Sequence, residues 1–152
     1  MLKKIFIVLL VIFIAIQFYR PARNNGDAAG PHDITHYVTV PDTVMAILKS
    51  SCYDCHSNHT VYPWYTNINP VGWWMRGHIN DGKRALNFSD LSSLDKQKLT
   101  KRLTGVARET GSGDMPLPSY TWIHTYAKLD AGQKQIIKAW TDSAKAQLNV
   151  KM

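Results

Sequence analysis

Hydrophobic positions divide the chain into one uninterrupted apolar run and several stretches in which apolar residues recur at helical spacing. Residues 5–16 carry no charged or polar side chain. In the rest of the chain, apolar residues repeat every three or four positions in four stretches, which predicts amphipathic helices. No convincing pair of strand patterns and no internal repeat occurs. The pattern therefore predicts an all-α chain.

Two of the predicted helices lie in the first two thirds of the chain. One should begin with Asp42 as its N-cap, with an apolar face made of Val44, Ile47 and Leu48. The other should open at Pro70, because proline suits the first turn of a helix. It should end near Leu86. Its apolar face is made of Val71, Trp74, His78 and Ile79.

The other two predicted helices follow. Residues 92–95 resemble a capping box before a helix whose apolar face is made of Leu99, Leu103 and Val106. Glycines in residues 111–113 should end that helix. After an irregular stretch over residues 112–128, a second capping pattern at residues 130–133 introduces the last helix, at about 131–147. Its apolar face is made of Ile136, Ile137, Trp140 and Ala144.

The N-terminal apolar run resembles a secretion signal, because Lys3 and Lys4 precede it and Arg20 follows it. No convincing small-residue cleavage site lies at its end, so we predict that residues 1–19 form an uncleaved transmembrane signal anchor. A cleaved signal peptide is the alternative. The apolar run together with Gln17, Phe18 and Tyr19 has fifteen residues (5–19). As a helix these residues span about 22 Å, less than a bilayer core of about 30 Å. Residues at the membrane interface would have to make up the difference.

The remaining chain has the length of one domain. Residues 20–34 are polar and interrupted by glycine and proline, which predicts a tether. Residues 35–147 are expected to form the folded domain, and residues 148–152 a C-terminal tail.

Charge excludes one class of partner. The chain has a formal net charge of +7, but four of its basic residues flank the apolar run, and the other 14 stand against 11 acidic residues. This remaining charge is mild and scattered, so no nucleic-acid partner is expected. Five tryptophans and seven tyrosines suit a domain that encloses a large flat apolar ring.

The most specific chemical signal is the sequence from Cys52 to His56, which has the spacing C-x-x-C-H of a c-type haem attachment motif. Two thiols three positions apart can each bond one vinyl group of a porphyrin, and the following histidine can offer a nitrogen to the iron. Because Cys52 and Cys55 are the only cysteines, the motif predicts one covalent haem c, with His56 as the proximal iron ligand.

Two alternatives remain open at this point. Zinc could be bound by four residues within a short span, namely Cys52, Cys55, His56 and His59. That grouping lacks the long spacer between the ligand pairs of ordinary zinc modules. Free thiols or a disulfide are the second alternative, although no βαβ pattern accompanies the motif.

The sixth iron ligand has two candidates. Met115 lies between Gly113 and Pro116, where proline restricts the backbone and can hold a thioether out of a loop. A histidine–methionine pair raises the reduction potential and suits electron transfer. His78, one turn after Trp74, is the alternative distal ligand.

Several separated segments resemble the haem-binding domain family, whose members are short, membrane-anchored, c-type cytochrome-like proteins found widely in Bacteroidetes. The segments are QFYRPARNN, CYDCHSNHTVYPWYTNINPVGWW, GKRALNFSD, and GDMPLPSY followed by IHTYAKL. The resemblance covers about residues 16–145. It implies a mono-haem, largely helical domain with thioether bonds at Cys52 and Cys55, axial His56 and added support for Met115.

The order of elements also matches small class I cytochromes c, so the expected fold is an all-α, class I cytochrome c-like domain. The expected function is electron transfer by one haem c in the periplasm, at the outer face of a bacterial inner membrane, with redox proteins as partners and no enzymatic reaction. A gas or redox sensor, or a peroxidase-like enzyme with an open sixth position, is an alternative. A haem-bearing accessory subunit of a larger complex is another.

Overall fold

The computed structural model describes residues 1–150, and this part of the chain is helical without β-strands. The α-helices are α1 (Leu2–Ile16), α2 (Asp42–Ser51), α3 (Tyr53–His56), α4 (Val71–Ala85), α5 (Lys96–Ser112), α6 (Pro118–Thr121) and α7 (Ala131–Val150). Short 3₁₀ helices occupy Ile34–His36, Trp64–Asn67 and Thr125–Ala127. The predicted all-α class is confirmed, and the four predicted amphipathic helices correspond to α2, α4, α5 and α7.

Capping residues account for where α5 and α7 begin. The Asp95 carboxylate accepts a hydrogen bond of 2.8 Å from the Lys98 amide, so Asp95 is the N-cap of α5 and the expected box at residues 92–95 does not form. Gly113, with φ of 87°, ends α5 in the left-handed conformation that glycine favours. Asp130 and Gln133 bond each other's backbone amides at 2.7 and 3.0 Å, which confirms the predicted capping box of α7.

The hydrophobic core lies where α5 and α7 pack together and α2 packs against α7. The predicted faces supply eight of its 16 buried residues. The buried residues on these helices include Val44, Ile47, Leu48, Leu99, Leu103, Ile137, Trp140 and Ala144. Ile136 differs from the expectation and is exposed.

Helix α4 is rotated relative to the predicted apolar face. Its buried residues are Met75, Ile79 and Gly82, whereas Trp74 is half exposed. The cause is a close contact with the motif: a Cβ atom at Gly82 would lie 2.6 Å from the carbonyl oxygen of Cys55. Because only glycine permits that approach, Gly82 must face α3 and the rest of the helix turns with it.

The N-terminal apolar run forms α1, which has no buried residue and ends at Ile16. Among residues 1–150, no helix has both the length and the apolar character needed to cross a membrane. The prediction of a transmembrane helix over residues 1–19 is therefore wrong. The helix found there has 15 residues, which at about 1.5 Å per residue is shorter than a bilayer core of about 30 Å.

The end of α1 is held against the domain by Asn69, which is buried. The Gln17 side chain exchanges hydrogen bonds of 3.0 and 2.9 Å with the Asn69 backbone. The Asn69 side-chain amide donates to the carbonyl oxygens of Ile16 and Tyr19, at 2.8 and 3.0 Å. These bonds fix the point at which the chain leaves α1.

The expected tether over residues 20–34 is in contact with the domain. Asn24 is buried, and its side-chain amide donates to the Ser57 carbonyl and the Thr60 hydroxyl, both at 2.9 Å. Gly26 donates its amide to the Asn58 carbonyl at 2.7 Å. At the other end, residues 148–150 of the expected tail belong to α7, and residues 151–152 lie outside the described residues.

Candidate functional site

The C-x-x-C-H motif begins where α2 ends. Cys52 separates α2 from α3, with φ of −126° and ψ of −40°, and its carbonyl accepts the amides of Cys55 and His56 at 3.1 and 2.9 Å. The motif is therefore one helical turn, which is the local structure that its spacing requires. Helix α4 supports this turn through the contact of Gly82 with Cys55.

The imidazole of His56 is held in one orientation. Its Nδ1 lies 2.9 Å from the carbonyl oxygen of Leu86, and because a carbonyl can only accept, Nδ1 carries the proton. Nε2 is then left with a free lone pair, the arrangement found in metal-bound histidines. Burial lowers the pKa of His56, which keeps the ring neutral as a ligand must be.

A cavity of about 550 Å³ opens beside His56. Its size falls in the range of about 300–1,000 Å³ typical of small-molecule and cofactor sites. Its lining includes Cys52 and His56 from the motif, Met115, and part of α5. The structure thus brings three of the predicted site residues, from two distant parts of the sequence, around one space.

Gly105 forms part of the cavity wall on α5. A Cβ atom added there meets no atom within 4 Å, so a side chain would enter open space. Glycine inside a helix costs about 1 kcal/mol relative to alanine, and no contact of Gly105 within residues 1–150 compensates for it. The bare helix surface at Gly105 leaves room in the cavity for a flat ring such as haem.

Basic residues surround the cavity on α5. They are Lys101, Arg102 and Arg108, of which Arg108 is paired with Glu109 at 2.5 Å. Two haem propionates would find opposite charges here. Sequence reasoning missed these residues, although Lys101, Gly105 and Arg108 occur at i, i+4 and i+7 and so share one helix face.

The two cysteines differ in their surroundings. Burial, followed by the influence of Cys55, raises the pKa of Cys52 to about 12, and burial, followed by Asp54, raises the pKa of Cys55 to about 11. Both are therefore protonated thiols at neutral pH. Cys52 lines the cavity, whereas Cys55 is not one of its lining residues. Within residues 1–150, no three His, Cys, Asp or Glu side chains form a metal-binding group, so the zinc alternative gains no support.

The two candidate distal ligands lie in different places. Met115 follows the end of α5, where its amide donates to the Glu109 carbonyl at 3.0 Å, and it lines the cavity. His78 is not one of the lining residues. Its ring packs against Trp74 at 4.4 Å, and its Nε2 is buried without a hydrogen-bond partner in the described part of the chain.

A cluster of aromatic and polar residues contacts the motif at Asp54. Sequence reasoning missed this cluster. The Tyr120 hydroxyl donates to the Asp54 carboxylate at 2.6 Å. His124 stacks on Tyr120 at 4.3 Å, and its Nε2 lies 2.5 Å from the Tyr65 hydroxyl. Since Asp54 and Tyr120 are 66 residues apart, no local pattern could have paired them.

The family model described as "Haem-binding domain" matches residues 11–143. Neither the curated proteins nor the solved structures gave a significant match. The matched range includes every residue of the cavity and of the aromatic cluster, and it begins within α1.

Proposed function

The chain belongs to the haem-binding domain family, and from this premise we propose that it holds one haem c covalently and transfers electrons. The observation that carries the proposal is the shared cavity of Cys52, His56 and Met115. A thiol, a ligand nitrogen and a thioether are the groups that a c-type haem uses, and here they line one space of suitable size.

Each residue has a distinct role in this proposal. Cys52 and Cys55 would hold the ring by thioether bonds. His56 would bind the iron through Nε2, which its hydrogen bond to Leu86 leaves free. Met115 would supply the second iron ligand, and the basic residues of α5 would neutralise the propionates.

Electron transfer agrees better with these residues than catalysis does. Bound haem supplies a one-electron couple, which the protein tunes through axial ligands and burial. If His56 and Met115 both held the iron, no coordination position would be left open for a substrate. The neutral, hydrogen-bonded His56 and the half-buried Met115 favour a stable six-coordinate centre.

The proposed location is the periplasm, with redox proteins as the donor and acceptor of electrons. Haem is attached to C-x-x-C-H motifs on the outer side of bacterial cytoplasmic membranes. The basic and apolar start of the chain is of the kind that directs export.

Spectroscopy of the full chain, expressed together with the c-haem maturation machinery, tests the proposal. We expect haem that stays on the chain after denaturation and a low-spin, six-coordinate reduced-minus-oxidised spectrum. The Cys52→Ala/Cys55→Ala double variant should lose haem on denaturation. Haem that is lost from the wild-type chain on denaturation would overturn covalent attachment. Rapid binding of carbon monoxide by the reduced protein would overturn the six-coordinate carrier in favour of a sensor or peroxidase-like site.

A further inference from the structure

A second cavity, of about 70 Å³, lies where the segment after α1 meets the start of α4. Three guanidinium groups line it, those of Arg20, Arg23 and Arg76. We call it the arginine cleft. We propose that the arginine cleft binds a phosphate group, carried either by inorganic phosphate or by the headgroup of a phospholipid.

The three guanidinium groups are held in place and still have donors to offer. Arg76 donates to the Ala22 carbonyl, and Arg23 donates to the Asn67 side chain while lying 4.9 Å from the centre of the Tyr62 ring. Arg20 donates to the Gln17 carbonyl at 3.3 Å. Since a guanidinium has five N–H donors, each of the three keeps donors for a ligand.

No acidic side chain is among the described residues that line the cleft. Within residues 1–150, none of its three arginines forms an ion pair, whereas Arg84 on the same helix pairs with Asp81 and Arg108 pairs with Glu109. Lys83 adds further positive charge nearby, and burial together with Arg76 lowers its pKa. Like charges placed close together repel one another, and a bound anion would relieve that repulsion.

The cleft is also rigid, because Asn69 and Gly72 both line it. Asn69 fixes the end of α1 by its hydrogen bonds to Ile16 and Tyr19. A Cβ atom at Gly72 would lie 2.4 Å from the Thr66 carbonyl oxygen, so α4 begins in close contact with the preceding loop. A preorganised site loses less conformational entropy when it binds a ligand.

Size and chemistry select the ligand. A volume of about 70 Å³ admits a group of a few heavy atoms and excludes a nucleotide base with its sugar. Guanidinium groups match the oxygens of phosphate in geometry and charge. Phe18, which follows the end of α1 and precedes Arg20 of the cleft by two positions, is 84% exposed and could contact an acyl chain. Both sources of a phosphate group are therefore chemically suitable.

Calorimetry with inorganic phosphate tests the site on the full chain in a non-ionic detergent. We expect a saturable heat of binding and about tenfold weaker binding in Arg76→Gln, because the variant removes a charged hydrogen-bond donor from the cleft. Arg84→Gln removes the same charge from the same helix outside the cleft and should bind as the wild type does. Equal weakening in both variants would reduce the effect to general electrostatics and overturn the site.

Vesicle flotation distinguishes the two sources. The wild type should prefer vesicles containing phosphatidylglycerol over pure phosphatidylcholine if a lipid headgroup is the ligand, and Arg76→Gln should lose that preference while Arg84→Gln keeps it. Phosphate binding without a vesicle preference identifies free phosphate. Absence of both overturns the proposal. Arg76→Gln also removes the hydrogen bond that Arg76 donates to the Ala22 carbonyl. Arg23→Gln is therefore the second variant, because the contacts described for Arg23 are with Asn67 and Tyr62 in the loop before α4.

Discussion

The hydroxyl of Tyr120 donates a hydrogen bond of 2.6 Å to the carboxylate of Asp54. Asp54 lies inside the C-x-x-C-H motif, and its carboxylate also accepts the Val61 amide at 3.0 Å. The bond therefore joins α6 to the turn that carries the C-x-x-C-H motif, and neither residue lines the cavity. Burial, followed by the bond to Asp54, raises the pKa of Tyr120.

We expect this bond to make stability depend on pH in the alkaline range. Unfolded tyrosine ionises near pH 10, whereas folded Tyr120 keeps its proton to higher pH. Its contribution to stability is then complete below about pH 10 and declines as the pH rises further. Tyr120→Phe should lower the free energy of unfolding by about 1–2 kcal/mol at neutral pH and reduce the alkaline decline.

Urea denaturation at a series of pH values measures both effects. Tyr19→Phe is the matched control, because Tyr19 is 69% exposed. An alkaline decline of the same size in Tyr120→Phe and wild type would show that Tyr120 does not cause it.

Replacement of the proposed distal ligand, Met115, should change the reduction potential. Met115→Ala should lower the potential of the haem-loaded protein substantially, because a thioether ligand favours reduced iron. His78→Ala should leave it nearly unchanged, since His78 does not line the cavity. Redox titration followed by absorbance measures both variants. The reverse pattern, with His78→Ala disrupting ligation, would establish bis-histidine coordination instead.

Gly105 offers a steric test of the cavity. Gly105→Leu should sharply reduce the haem content, because its side chain would project into the space proposed for the ring. Gly77→Leu is the matched control, since a Cβ atom at Gly77 also meets nothing within 4 Å but lies on α4 outside the cavity. The measurement is haem per polypeptide after purification. Equal haem contents in both variants would argue against a ring on this face of α5.

Gly82 provides a stability test of the same motif. Gly82→Ala should destabilise the protein by about 1–3 kcal/mol, because its Cβ would lie 2.6 Å from the Cys55 carbonyl oxygen. Gly77→Ala, on the same helix without such a contact, should stabilise it by about 0.5–1 kcal/mol. Thermal unfolding of both variants gives the comparison. Stabilisation by Gly82→Ala would contradict the close packing of α4 on the motif.

The features that local sequence determines were the ones that could be predicted. The haem motif is one turn of chain, and the buried faces of α2 and α5 follow from helical periodicity. The capping pair Asp130 and Gln133 is likewise a local arrangement.

What could not be predicted depends on contacts between distant segments. The face of α4 turned because Gly82 meets Cys55, which is 27 positions away in the chain. The hold of Asn69 on the end of α1 joins residues about 50 positions apart. Periodicity reports which positions are apolar, but it does not report which neighbour will pack against them.

The hydrogen bonds from Asn69 to the carbonyls of Ile16 and Tyr19 determine how a force on α1 reaches the domain. A force applied to α1 would reach the start of α4 directly, before it could stretch the chain over residues 20–34. A force on α1 is thus transmitted to the domain through the Asn69 hydrogen bonds. The orientation of α1 therefore also sets the direction in which the cavity beside His56 opens.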